Sequence, residues 1–187
     1  MDTSDKQEKE RKKKVNSLLK ELKTKDEKTL KKVVISLKQY GDSSILEPLL
    51  ERWNEGVSNE VETEIQNLFN DIKSNDSSQP IMEGIRNPKY EKIKKALLNS
   101  VWNTKVDYSE YLVDFVDIAV KGDFMEALEC LTIIENLEGP FEEQQFLEAQ
   151  VSLSEFAELN DKSSQKAHII SEIASIIKDL EANLIDF

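Results

Sequence analysis

The sequence predicts an all-α protein of about nine or ten antiparallel helices, laid down as successive pairs. Three observations carry that reading. From Val15 onward, apolar residues recur every three or four positions, the spacing of one helical face. The 187 residues include only 5 Gly and 4 Pro, too few for the many tight turns of an all-β sandwich. Units begin near Asp26, Ser58, Lys89 and Asp123, at offsets of 32, 31 and 34, which is the range of helix-pair repeats. Short β-branched runs such as Val33-Val34-Ile35 lie inside longer helical patterns, so length argues against strands.

Residues 1–14 form a charged N-terminal tail or helix start, with Arg11, Lys12, Lys13 and Lys14 as a basic run that Glu8 and Glu10 interrupt. Residues 15–187 read as a single helical-repeat domain. Val15, Leu18, Leu19 and Leu22 open it with an i, i+3, i+4, i+7 stripe. Helices follow at about 26–40, with Leu30, Val33, Val34 and Leu37 on one face, and at about 43–54, with Ile45, Leu46, Leu49, Leu50 and Trp53. Gly41 is expected to stop the first of these by entering the left-handed conformation. Asp42, Ser43 or Ser44 is expected to cap the second. Pro48 is tolerable because it falls in or just after the first turn, where its missing N–H costs little.

Ser58 or Asn59 is expected to cap the next helix, whose apolar face is Val61, Ile65, Leu68, Phe69 and Ile72. The polar stretch 74–78 precedes a short helix to Arg86, weakened by Gly84. Asn87-Pro88 marks a turn, and a helix resumes near Lys89 with Tyr90, Ile93, Ala96, Leu97, Val101 and Trp102 apolar. Over 108–120, Tyr111, Leu112, Phe115, Ile118 and Ala119 form the apolar face. Gly122-Asp123 repeats the Gly41-Asp42 device before a helix with Phe124, Ala127, Leu128, Leu131, Ile134 and Leu137, ended by Gly139-Pro140. Residues 141–159 are expected to bury Phe146, Leu147, Val151, Leu153, Phe156 and Leu159. The last helix carries Ile169, Ile170, Ile173, Ile176, Ile177 and Leu180, and Ile185 and Phe187 are placed to fold back.

Net charge is −12, unevenly placed. Residues 1–40 hold 13 Lys/Arg and 7 Asp/Glu, whereas residues 103–160 hold 2 Lys and 14 Asp/Glu. An acidic body repels the phosphate backbone, which disfavours nucleic acid, and attracts basic partners. No apolar run approaches the roughly 18 residues that span a membrane. The charged N-terminus lacks the apolar centre of a secretory signal. One cysteine, Cys130, excludes an internal disulfide and points to a reducing, cytoplasmic setting.

The segment Leu37 to Trp53, LKQYGDSSILEPLLERW, resembles the short prokaryotic type of HEAT repeat within residues 29–56. The matching positions are Leu37, Gly41, Asp42, Ile45, Glu47, Pro48, Leu49 and Leu50. Later units share the spacing without this signature. The resemblance implies a right-handed α-α superhelix, a HEAT-like solenoid whose second helices line a concave face that binds a protein or peptide. Catalysis is uncommon in that family. Its DNA-glycosylase branch uses a basic concave face, where this chain is acidic.

Asp107, Glu110, Asp114 and Asp117 form the best candidate site, as a docking stripe for a basic protein or as a solvated face that serves solubility. The resemblance would place them on the concave side. No metal is expected, because a di-iron bundle needs Glu-x-x-His pairs and no Asp or Glu stands three residues before His168, the single histidine. Cys130 reads as a small core residue. Trp53 and Trp102 read as packing seals or as exposed binding anchors. No Walker loop, dinucleotide fingerprint, G-x-S-x-G, Cys-x-x-Cys or His-Glu-x-x-His occurs, so no enzyme and no cofactor is expected. The expected function is a protein-binding module or scaffold. Alternatives are an acidic immunity-type inhibitor of a basic toxin or nuclease, and nucleic-acid binding through the N-terminal basic helix.

Overall fold

A computed structural model describes residues 3–159 and 163–185, which form ten α-helices and no strand. The expected fold-back of the Ile185 and Phe187 side chains lies outside the described residues. No helix among them is long and apolar enough to cross a membrane. The chain divides into two compact units, Met1–Val106 and Asp107–Phe187.

The first unit contains α1 (Thr3–Glu21), α2 (Glu27–Tyr40), α3 (Leu46–Asn54), α4 (Asn59–Asn70), α5 (Ser78–Arg86) and α6 (Lys94–Asn103). Helix α1 packs on α2, and α2, α4 and α6 lie side by side in that order. Helices α3 and α5 pack on each other, so each hairpin sets its first helix on the next first helix and its second on the next second. Polar contacts repeat at the same interval. Lys31 meets Glu60 and Glu64, Lys38 meets Asp71, Ser43 donates to Asp76, and Gln66 donates to Asn99. Between these layers lie Leu30, Val34, Leu37, Leu49, Ile65, Phe69, Met82 and Leu97, all wholly buried.

Gly41 ends α2 without entering the left-handed region, since its φ is −73°. Space, not backbone sign, calls for glycine there. An added Cβ would stand 2.7 Å from the Leu37 carbonyl oxygen, the acceptor of the Gly41 N–H, and would run into Ile45. Asp42 then accepts from the Ser44 N–H at 3.1 Å and starts the 3-10 turn Ser43–Ile45 that leads into α3. Gly84 also marks a close approach, because a Cβ would lie 2.7 Å from Leu50 Cδ1 where α5 meets α3. Ser58 occupies the N-cap of α4 but its hydroxyl donates to Glu27 at 2.8 Å instead of capping. The α-helix expected near Lys89 starts at Lys94. Asn87 accepts from the Lys89 N–H and, with Pro88 in the first position, holds a 3-10 turn ahead of it.

The second unit contains α7 (Leu112–Lys121), α8 (Phe124–Glu135), α9 (Glu143–Leu159) and α10 (Gln165–Ile185). Helix α7 packs against α8 and α9, and α10 packs against α8 and α9. Each of the four helices therefore packs mainly on two others, in the ring α7–α8–α10–α9, whereas sequence spacing paired 124–137 with 141–159. The core joins Leu112, Phe115, Val116, Ala119, Ala127, Cys130, Ile134, Phe146, Ala149, Ile173 and Ile177, none more than 1 % exposed.

Candidate functional site

The acidic stripe sits at the start of the second unit and along α7. Asp107 precedes the 3-10 turn Ser109–Tyr111 and accepts from the Ser109 N–H at 2.9 Å. Asp42 makes the same contact two residues on, with the Ser44 N–H, but Asp42 directly precedes its 3-10 turn, whereas Tyr108 stands between Asp107 and the turn that leads into α7. Glu110 is exposed, and Asp114 is half-buried in the first turn of α7. Asp117, one turn on, faces α9. It accepts from Ser152 Oγ at 2.7 Å and pairs with Lys121. Burial pushes the Asp117 carboxyl up, but hydrogen bonds from Lys121 and Ser152 outweigh it and hold it below its ordinary value. The four acids therefore do different work. Asp107 and Asp117 hold backbone and helix packing, and Glu110 is turned to solvent.

The junction of α7 and α8 is secured by charge. Gly122 donates its N–H to the Ile118 carbonyl. Asp123 accepts from the Glu126 N–H at 3.0 Å, and Glu126 accepts from the Asp123 N–H at 2.8 Å, a reciprocal cap. From α10, Lys166 Nζ donates to the carbonyls of Val120 and Gly122 at 2.7 and 2.6 Å and lies 5.2 Å from the Phe156 ring centre. A cation on the last carbonyls of a helix complements its dipole. Burial holds the Lys166 ammonium below its usual range, with Glu126 and Asp123 opposing that shift.

The division of charge follows the division of the fold. Residues 1–106 carry 21 Lys/Arg and 18 Asp/Glu, a balance of +3. Residues 107–187 carry 4 Lys and 19 Asp/Glu, a balance of −15. Four lysines cannot neutralise nineteen carboxylates, so the second unit keeps a negative surface whatever its internal pairing.

Three residues expected inside are outside. Leu147, Val151 and Leu159 are 48, 58 and 83 % exposed, while α9 buries Phe146, Ala149, Leu153 and Phe156. The buried set follows i, i+3, i+7, i+10. The exposed set follows i, i+4, i+12 and lies on another row of the same helix. Two apolar rows on one helix were the available signal. Phe124 and Met125 of α8 are also exposed, at 38 and 46 %.

The other candidates fall as follows. Cys130 is wholly buried in α8. His168 is exposed on α10, with Nδ1 2.9 Å from the Ser164 carbonyl oxygen. Trp53 is buried beside Phe69, ring centres 5.8 Å apart, and donates to Glu62, whereas Trp102 is 38 % exposed. In the basic run, Arg11 donates to the Tyr40 carbonyl and to Asp42, both at 2.8 Å, while Lys12, Lys13 and Lys14 are exposed. A cavity of about 400 Å³ lies by the 3-10 turns of the first unit, lined by Lys38, Asp42, Ser43, Asp71, Ser74 and Asp76. An apolar groove of about 350 Å³ runs between α9 and α10, past Leu153, Phe156, Ala157, Ile170 and Ala174. Among the described residues, no three His, Cys, Asp or Glu side chains are grouped to hold a metal ion. No protein-family model matches the chain, and no curated protein or solved structure matches it significantly.

Proposed function

We propose that this chain is a HEAT-like helical-repeat protein without catalytic activity, which binds a basic protein through its acidic second unit. The observation that carries the reading is the coincidence of the charge boundary with the fold boundary, +3 before Asp107 and −15 from it. Interspersed charges would serve solubility as well. A single-sign unit creates a directed field that steers an oppositely charged partner. The HEAT-like part rests on the match at residues 29–56, on the layer order of α2, α4 and α6, and on the cross-helix contacts at 29 to 33 residues. A right-handed superhelix of such pairs is the form that resemblance implies. One specialised version is an immunity-type inhibitor with a single tight basic target. A cytoplasmic setting fits the lone, buried thiol.

The test is a pull-down from source lysate with mass spectrometry, eluted by a salt gradient. Basic proteins released by salt, and lost both with Asp107→Asn, Glu110→Gln, Asp114→Asn and Asp117→Asn together and with Glu110→Gln and Asp114→Asn alone, support the stripe as the docking face. Equal retention by the four-residue variant assigns the stripe to solubility and helix packing. Failure to retain any basic protein overturns the reading.

A second reading, nucleic-acid binding, is favoured by one feature. Helix α1 carries Lys6, Lys9, Lys12, Lys13 and Lys14, all exposed. An electrophoretic shift lost on deletion of residues 1–14 supports it, and a shift that survives the deletion removes it.

A further inference from the structure

We infer that the outer face of α9 is a docking ridge for a basic amphipathic helix of a partner protein. The inference rests on the protein-binding reading above and places the contact on a surface other than the α7 stripe. Along α9, positions four apart form one continuous row on the helix surface. The row runs Glu143, Leu147, Val151, Glu155, Leu159, with the three apolar members 48, 58 and 83 % exposed. Its neighbours on the same side, Glu148 and Glu158, add two more carboxylates, and Glu143–Leu159 contains no lysine or arginine. Glu143, Glu155 and Glu158 take part in no ion pair among the described residues. Isolated exposed apolar residues are ordinary. A regular row of them, flanked and interrupted by carboxylates on a helix whose opposite face is packed, is complementary to one kind of surface. That surface is a helix with apolar side chains at i, i+3, i+4 and i+7 and with lysine or arginine on both flanks. The apolar members supply contact area and the carboxylates set the sign and orientation of the approach. A second copy of this chain is a poorer occupant, because its own acidic second unit would repel the ridge.

The test uses the full chain and a defined probe, a fluorescein-labelled synthetic helix of leucine and lysine with leucines at i, i+3, i+4 and i+7. A scrambled peptide of the same composition is the control. Anisotropy is measured at about 0.15 M salt, where exposed charges more than about 8 Å apart are largely screened. The expected result is saturable one-to-one binding of the amphipathic peptide. Leu147→Ala with Val151→Ala weakens it by about tenfold or more, while melting by circular dichroism is unchanged. Glu110→Gln with Asp114→Asn on α7 leaves it intact. Equal binding of the scrambled peptide, or equal binding by the α9 variant, overturns the proposal. So does self-association in sedimentation that the α9 variant abolishes, since the ridge would then belong to a second copy. Those failures leave the protein-binding reading standing. That reading falls separately, if the wild-type chain retains no basic protein from lysate.

Discussion

Replacing Lys166 with methionine tests how the second unit is held together. Methionine keeps an unbranched stem but removes the ammonium that donates to the carbonyls of Val120 and Gly122. Hydrogen bonds to charged groups contribute about 1.5–3 kcal/mol each in favourable cases. A cation at a helix C-terminus adds roughly 0.3–1 kcal/mol, and the contact with Phe156 about 0.5–1 kcal/mol. Against these stands the burial cost that lowers the Lys166 pKa, which methionine escapes. The net expectation is a loss of about 1–3 kcal/mol, since two bonds and a dipole contact are given up for one relieved desolvation. The chain supplies a probe for each unit. Both tryptophans, Trp53 and Trp102, lie in the first unit, and the single thiol, Cys130, is wholly buried in the second. Thiol labelling across a urea series reads the second unit, and tryptophan fluorescence reads the first. With a slope near 1 kcal/mol per molar urea for a unit of this size, the labelling midpoint falls by about 1 M or more. Hydrogen exchange over the last turn of α7 speeds up with it. A labelling midpoint equal to wild type refutes the claim that Lys166 secures the α7–α8 junction.

Three further outcomes are expected. Gly84→Val places a branched side chain where a Cβ already meets Leu50, and destabilises the first unit by about 1–3 kcal/mol, read by tryptophan fluorescence in urea. Asp123→Ala removes the cap acceptor for the Glu126 N–H and costs about 1 kcal/mol, read by Cys130 labelling. The folded-state pKa of Asp117 is depressed below 3.8, so its stabilisation is complete above that pH and is lost as pH falls through the folded value. The stability gap between wild type and Asp117→Asn is therefore widest near neutral pH and closes in acid.

The helices were legible because helical periodicity is local. Every helix expected from the spacing exists, including the short one interrupted by Gly84. What periodicity could not report was why particular residues stand where they do. Gly41 looked like a left-handed stop, yet it is required by the approach of Ile45 and the Leu37 carbonyl, which sequence does not show. Ser58 looked like a cap, yet its hydroxyl is drawn to Glu27 of the preceding hairpin, 31 residues away. The exposed apolar residues of α9 have a related cause. Leu147 and Val151 are as apolar as the core residues, but a helix packed on one side by α7 and α10 buries one face only, and which face depends on the neighbours. The pairing of α7 with α8 was hidden for the same reason, since loop lengths at Gly122-Asp123 and Gly139-Pro140 permit either hairpin.

The candidate stripe shows why charge pattern alone is a poor guide to a binding face. Four acids at helical spacing suggested a uniform surface. In the fold, Asp107 is a turn acceptor and Asp117 a tie to α9, so neutralising either perturbs structure as well as charge. Glu110 and Asp114 are the members whose neutralisation changes the field with least disturbance of those contacts. A loss of binding in the four-residue variant that Glu110→Gln with Asp114→Asn does not reproduce would therefore reflect a loosened α7, not a lost docking contact. The negative field of the second unit does not depend on the stripe. Removing all four of its charges changes −15 to −11, so long-range steering of a basic partner would survive. Only short-range contacts would change, which makes dissociation rate, and not association rate, the quantity that distinguishes a docking stripe from a merely acidic helix.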